Sequence, residues 1–363
     1  MSTPQPIPDV QKAWVSVRKG SPARSLELRK DWPVKKPLAP GEVLVKVHAA
    51  ALNPVGHKLM GMMPNFILSR PYVPEHDFSG TVVDSKDSKD FKLGDEVFGW
   101  NEFGSQRVNK QGALSEYVAV PHTYIAKRPA NVSEVEAAGV ALTAMTALQA
   151  LDLAGLEEGQ TLFVNGGSTA VGAWAIQLAK IRGAKVVATA SGKNEEYVRN
   201  KGADEFIDYT NVGPLHKYLQ ANPPQVRYNV ILEAVGLPDP SLYTHSQKYL
   251  APNGAFVSVG PQPHGFNLTS ISQMLRLAGA KLFPSFLTGI KPSFHIVLVD
   301  PKKAEDLQLI GKYLEEGGLK PSVDSVHLFD DVLKAYERIM TNRARGKVIV
   351  NVSLPPSTAG VAS

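Results

Sequence analysis

The residues best placed to do chemistry stand in the run LFVNGGSTAVGAWAIQLAK. There Gly166, Gly167, Ser168, Thr169, Ala170, Val171 and Gly172 lie between an apolar segment ending near Val164 and a helical pattern starting near Val171. Glycines at a strand-to-helix turn let the backbone approach a diphosphate without side-chain clash, and the helix N-terminus adds N–H groups and the positive end of its dipole. The spacing departs from a strict GxGxxG, so a plain connecting turn is the alternative; the strands and helices around it favour a dinucleotide cradle. A NAD site usually ends its second strand in an acid that takes the ribose hydroxyls, whereas KVVATASGKNEE ends in Ser191, Gly192 and Lys193. A hydroxyl and a cation there suit a 2′-phosphate and point to NADPH; a solvated loop lysine is the other reading of Lys193. In PEHD, His76 beside Asp77 is either a proton donor or a structural imidazole bonded to a backbone carbonyl.

These residues need a scaffold, and 363 residues suit two domains. The first third is β-rich: EVLVKVHAAA alternates apolar and polar residues as a half-buried strand does, Val73 to Val83 and Glu96 to Gly99 add strand-like pieces, and Pro and Gly punctuate them. Near Ser133 the pattern changes. Ser133 and Glu136 form a candidate capping box ahead of a long helix over Ala137 to Leu153. A βαβ rhythm with a parallel sheet follows through TLFVNGG, KVVATAS, EFIDY, NVILEAVG and GAFVSVGP. A charged helix near Lys302 to Glu316, VHLF, a helix over Asp330 to Met340 and KVIVNV close the chain, and this last part is expected to rejoin the first domain.

Zero cysteines exclude disulfides, iron–sulfur clusters and thiolate zinc sites. The net charge of +5 comes from scattered lysines and arginines without interleaved aromatics, so nucleic acid is not implied. No apolar run approaches the roughly 18 residues of a membrane helix. The opening MSTPQPIPDVQK carries no secretory or mitochondrial pattern, which leaves the cytoplasm as the expected compartment.

From about Trp14 to Val352 the sequence resembles the medium-chain dehydrogenase/reductase superfamily, in its zinc-free quinone oxidoreductase and enoyl reductase branch. The resemblance rests on ALNPVGHK, PEHDFSGTVV, GDEVFG, GALSEYV and the glycine-rich turn. GGSTAVG is also similar to the turn of fungal trans-acting enoyl reductases associated with polyketide synthases. The resemblance implies an α/β fold: a Rossmann doubly wound parallel sheet over 142–290, and a β-rich, GroES-like, partly open barrel from 1–141 and 291–363, with the nicotinamide in the cleft between them. It implies that Tyr209, after EFID, contacts the 2′-phosphate or packs beside the adenine. Val235 and Gly260, at the ends of NVILEAVG and GAFVSVGP, complete the expected cofactor-binding set.

Asn53, before Pro54, matches the family's Asn near the nicotinamide. The Asp common two residues after that Pro is absent, because Gly56 stands there, and His57 intervenes before Lys58, a candidate substrate-facing residue. The histidine of the zinc-containing relatives' metal set corresponds to His76, but their cysteines are missing, so no metal is expected. The implied reaction is hydride transfer from NADPH to a small-molecule acceptor, an enone, an enoyl thioester or a quinone, with Asn53 and Lys58 orienting and polarising it. The rival readings are an NADPH-binding regulatory or structural protein with little catalysis, and a zinc-independent aldehyde reductase. Relatives dimerise through edge strands of their Rossmann sheets; Pro284 in KLFPSFL removes a ladder donor there, so a monomer is expected over a homodimer.

Overall fold

The computed structural model describes residues 6–86, 88–261, 272, 275, 279 and 293–353. Pro284 and most of the stretch 261–295 therefore lie outside the described residues. The described chain forms two compact units, residues 1–142 with 300–363 and residues 143–299.

The first unit begins with a two-stranded antiparallel ribbon, β1 (Val10–Ser16) on β2 (Leu26–Pro33). β3 (Glu42–Ala51) leads into helix α1 (Pro54–Met62), whose Pro54 takes the first helical position, where a missing N–H costs nothing. Next come β4 (Asp77–Asp84), β5 (Glu96–Trp100), β6 (Tyr117–Pro121) and β7 (Ile125–Lys127). β3 is more buried than its alternating sequence suggests, with only Lys46 and His48 partly exposed. Val43, Val45 and Val47 pack into the main core of the unit while Leu44, Ala49 and Ala51 pack into separate smaller clusters, so the strand's apolar residues are covered on both faces.

Ser133 caps α2 (Glu134–Ala138) with the expected capping box: the Ser133 N–H donates to Glu136 Oε2 at 3.0 Å and the Glu136 N–H to Ser133 Oγ at 3.3 Å. The helix expected to run unbroken to Leu153 is two helices, because it stops at Gly139 and resumes as α3 (Ala141–Leu153). A Cβ on Gly139 would lie 2.9 Å from the Lys347 side chain, so the glycine permits a close approach to the last strand.

The second unit alternates strand and helix as expected: β8 (Thr161–Asn165), α4 (Ala170–Ile181), β9 (Lys185–Ala190), α5 (Glu195–Asn200), β10 (Glu205–Asp208), β11 (Tyr228–Glu233), β12 (Leu250–Ser258) and β13 (Ser293–Ile296). All six strands are parallel, in the order β10-β9-β8-β11-β12-β13. That is the Rossmann order, third-second-first-fourth-fifth-sixth. β13 corrects the expected domain limit at 290: it adds a strand to β12, and this unit runs to Val299. Aromatic residues Phe163, Tyr228, Tyr243, Tyr249 and Phe256 fill the core on one face.

The chain then returns to the first unit through α6 (Ala304–Glu315), β14 (Val323–Leu328), α7 (Val332–Met340) and β15 (Lys347–Asn351). β15 pairs parallel with β14 and antiparallel with β3, completing a seven-stranded sheet with the order β14-β15-β3-β4-β5-β7 and β6 on β3. Val348 and Val350 of β15 and Val332, Ala335 and Tyr336 of α7 pack into the same core as Val45, Val47 and Phe78. No helix among the described residues is long and apolar enough to cross a membrane.

Candidate active site

The glycine-rich turn joins β8 to α4 at the carboxyl end of the parallel sheet. Its three glycines meet three demands. Gly166 has φ +90°, and a Cβ there would lie 2.5 Å from Val235 Cγ2. Gly167 packs so close to the sheet and helix that a Cβ would be 3.0 Å from Ala188 Cβ and 3.2 Å from Val198 Cγ1. A Cβ on Gly172 would fall 2.2 Å from the Gly166 carbonyl. Thr169 is the N-cap: its hydroxyl donates to Gly166 O at 2.8 Å and accepts from Gly172 N at 3.0 Å. Ala170 and Val171 begin the helix, where backbone N–H groups have no intrahelical acceptor. A backbone this bare, ahead of a twelve-residue helix, fits the diphosphate of a dinucleotide.

Val235 and Gly260 sit on the neighbouring turns after β11 and β12. The sequence reading passed over what holds them. Glu233, buried at the end of β11, accepts from the N–H groups of Val235 (2.9 Å), Gly236 (3.0 Å) and Leu237 (3.1 Å), and from Ser258 Oγ (3.1 Å), whose oxygen in turn accepts from Gly260 N (3.1 Å). One carboxylate thus shapes both turns. Burial raises its pKa against these donors. The signal available in the sequence was an acid three residues before a glycine, EAVG.

Ser191, Lys193 and Tyr209 gather at one end of the sheet. β9 ends at Ala190, Ser191 opens the turn Gly192–Asn194, and the Tyr209 N–H donates to Ala190 O across the β9–β10 pairing. Lys193 is exposed and the Tyr209 side chain half-exposed. Asn194, between Ser168 and Ser191, donates 3.3 Å bonds to both hydroxyls, while its buried Oδ1 has no hydrogen-bond partner among the described residues. An acid does approach this corner, from β10 rather than β9: a Cβ on Gly192 would lie 2.5 Å from Asp208 Oδ2. Asp208 is taken up locally by Thr210 and Asn211, and the Thr210 bonds hold its pKa below the usual carboxylate range.

In the first unit, Asn53 stands at the N-cap position of α1, 2% exposed, with its side chain turned to partners other than the helix N–H groups. Lys347 Nζ donates to Asn53 Oδ1 at 2.7 Å and to Asp77 Oδ2 at 2.8 Å, and Asn53 Nδ2 donates to Asp77 Oδ2 at 3.1 Å. Asp77 Oδ1 accepts from Leu142 N at 2.8 Å. Glu75 lies beside them at φ +68°, in the left-handed region, which costs a residue with a side chain about 1–2 kcal/mol. His57 and Lys58 follow on α1. Burial first, then the charge of Lys58, pushes His57 down to about 4, so its imidazole is neutral near neutral pH, and His57 Nδ1 is buried without a hydrogen-bond partner among the described residues. Burial also lowers the Lys58 ammonium from its usual range. His76 is buried, with Nδ1 donating to Asn101 O at 2.7 Å, the carbonyl bond that the structural reading expects. Sequence reasoning missed Glu75, Tyr336 and Lys347.

The buried Glu75 carboxyl makes stability depend on pH. Burial pushes it up from 4.5 to about 7, against the bonds from Tyr336 and Asn53 and the charge of Lys347, while Asp77 pushes the same way as burial. The native state therefore keeps a proton that the unfolded chain has already released. This contribution is complete below the unfolded value and is lost as pH rises through about 7, to a total of up to about 3 kcal/mol. Urea midpoints of the native protein should fall across that window, and Glu75→Gln should flatten the slope. An unchanged slope in the variant would assign the titration elsewhere.

Two family models match this chain: an alcohol dehydrogenase GroES-like domain over residues 39–130 and a zinc-binding dehydrogenase over residues 201–350. Among curated relatives, a medium chain reductase, pydE, of Acremonium sp is 31% identical across 94% of this chain and 98% of its own. The trans-enoyl reductase poxH of Penicillium oxalicum is 32% identical across 94% and 97%. Among solved structures, a quinone oxidoreductase from Coxiella burnetii superposes with a TM-score of 0.73 at 25% identity, covering 94% of this chain and 99% of that one.

Proposed function

The chain belongs to the medium-chain dehydrogenase/reductase superfamily, in its enoyl reductase and quinone oxidoreductase branch, and from that premise we propose that it reduces a conjugated carbonyl or a quinone with NADPH and without zinc. Its relatives support the coarser reading, a reductase that uses a nicotinamide cofactor. The observation that carries the finer reading is the state of the residues where a metal site would be. The chain has no cysteine, so the thiolate ligands of the zinc-containing relatives have no counterpart here, and His76, whose Nδ1 donates to the Asn101 carbonyl, is the one residue left of that set. An isolated carbonyl would then have to be activated by hydrogen bonds alone. A conjugated acceptor already spreads the incoming charge onto an oxygen, which a preorganised donor stabilises by a few kcal/mol.

The nicotinamide cofactor supplies the hydride; the protein's part is to hold and orient. The turn from Gly166 to Gly172 would take the diphosphate, and Ser191, Lys193 and Tyr209 the 2′-phosphate. Because the Asn53 amide is spent on Lys347 and Asp77, it acts by fixing the start of α1, and Lys58 is the donor on that helix assigned to face the acceptor. The neutral, poorly solvated His57 is a second donor on the same helix. A monomer is the expected state in solution.

The test follows NADPH oxidation against an enone, an enoyl thioester, a quinone and a saturated aldehyde, with alcohol oxidation by NADP as the reverse arm. Turnover of a conjugated acceptor well above the aldehyde and alcohol supports the proposal. Alcohol oxidation as the fastest reaction, or cofactor binding with no turnover of any acceptor, overturns it. For the cofactor, Lys193→Ala should weaken NADPH about 10- to 100-fold, the worth of a charge-assisted bond, and leave NADH nearly unchanged. Equal affinity of the native protein for the two cofactors would remove the 2′-phosphate assignment.

A further inference from the structure

The empty position in the Asn-Pro motif and the oddly placed carboxylate before β4 are one feature. Two residues after Pro54, inside the first turn of α1, stands Gly56. It is buried, and a Cβ built on it would lie 2.0 Å from Glu75 Oε1, 2.8 Å from its Cδ and 3.1 Å from its Oε2. The space a side chain would need at 56 is filled by the carboxylate of a residue that reaches in from another part of the chain.

Glu75 does so in a left-handed backbone conformation that favours glycine, φ +68°. Its own carbonyl is held by Ala113 N at 3.0 Å and Gln106 Nε2 at 2.8 Å. Its carboxylate accepts from Asn53 N at 2.9 Å and Tyr336 Oη at 2.6 Å. Four donors from four different segments hold one residue in a conformation its own backbone resists. The residue they position is the one that meets the N-cap of α1.

We infer that Gly56 and Glu75 are an exchangeable pair, two positions from which one carboxylate can fill one space. The Glu75 carboxylate enters, from the approach to β4, the space that a side chain on Gly56 would take, and sets the backbone at Asn53. Through Asn53 it sets the first turn of α1, which carries His57 and Lys58. Glu75 is thus a positioning residue, acting through that turn. This rests on the reading of Asn53 to Lys58 as the acceptor-side segment.

The experiment is an exchange cycle: Gly56→Asp, Glu75→Gly and the double variant, with Glu75→Gln as the isosteric control. Each is measured for melting temperature, NADPH dissociation constant, and kcat and KM for the best acceptor. Gly56→Asp forces a second carboxylate into occupied space and should lower the melting temperature most or fail to accumulate. Glu75→Gly leaves the Asn53 N–H and the Tyr336 hydroxyl without their acceptor, and should lower kcat roughly tenfold or more with NADPH binding unchanged. Glu75→Gln keeps the volume and can set its amide oxygen toward the Asn53 N–H and its NH2 toward the Tyr336 hydroxyl oxygen, so melting and kcat should both stay near native.

The double variant should regain most of both losses. If Gly56→Asp does not fold, the gain of the double variant over Glu75→Gly is the deciding comparison. A double variant no better than Glu75→Gly in melting temperature and kcat overturns the exchange. Glu75 variants that melt early but keep native kcat overturn the positioning role. Melting is read without any acceptor, so a native protein that reduces nothing sinks the reductase reading, and the exchange is then judged on recovered melting temperature alone.

Discussion

Lys347→Ala is expected to cost about 3–5 kcal/mol, the usual penalty for removing one partner of a buried ion pair. The ammonium is 2.8 Å from Asp77 Oδ2, and the two side chains are 6% and 0% exposed. Without it the Asp77 carboxylate stays buried with, among the described residues, Asn53 Nδ2 and Leu142 N as its remaining donors, and Asn53 Oδ1 loses the Lys347 donor. At about 2–4 °C per kcal/mol for a domain of this size, calorimetry should show melting lowered on the order of 10 °C. The same loss frees the Asn53 amide to rotate, so the surviving protein should show a lower kcat. Lys347→Met with Asp77→Asn should recover much of the stability, since removing both charges spares the penalty of the orphaned one. A Lys347→Ala protein that melts within a degree or two of native would mean that water or a rearranged side chain already compensates the pair.

That network also marks where sequence reading stops. The Rossmann unit was legible because its signals are local: a glycine-rich turn, apolar strands and a helix start within a few residues of each other. The capping box at Ser133 was legible for the same reason. Lys347 meets Asn53 and Asp77 across separations of 294 and 270 residues, and one lysine in RGKVIV looks like any other until β15 is laid against β3. Gly56 was visible as a departure from the family motif, but its counterpart was not, since nothing in PEHD announces a glutamate in the left-handed region. Asn53 was found and its surroundings were not, so the bonds its amide makes to Lys347 and Asp77 were not foreseen. Asp208 was passed over because the expected acid belongs at the end of β9, whereas parallel pairing brings the end of β10 to the same corner. β13 lay on the wrong side of the expected boundary because a short strand after a long irregular stretch has no local pattern to attach it to β12.

Gly172→Val should abolish useful cofactor binding, with NADPH affinity down by at least about 100-fold, which corresponds to about 3 kcal/mol. The reason is the close approach inside the turn. A Cβ at 172 would sit 2.2 Å from the Gly166 carbonyl and 3.0 Å from Thr169 Oγ1, and a branched side chain would need more space still. That carbonyl is the acceptor for both the Thr169 N–H (3.0 Å) and the Thr169 hydroxyl (2.8 Å), so moving it undoes the cap and turns the first amides of α4 away from a bound diphosphate. Gly159→Ala is the control. Gly159 has φ +75° with nothing within 4 Å of a built Cβ, so alanine there strains the backbone by about 1 kcal/mol and touches nothing near the turn. It should melt slightly earlier and bind NADPH as the native protein does. Fluorescence titration of NADPH separates the two variants. If Gly172→Val binds as tightly as Gly159→Ala while remaining folded, the diphosphate is not held by this turn, and the cofactor site has to be sought elsewhere on the molecule.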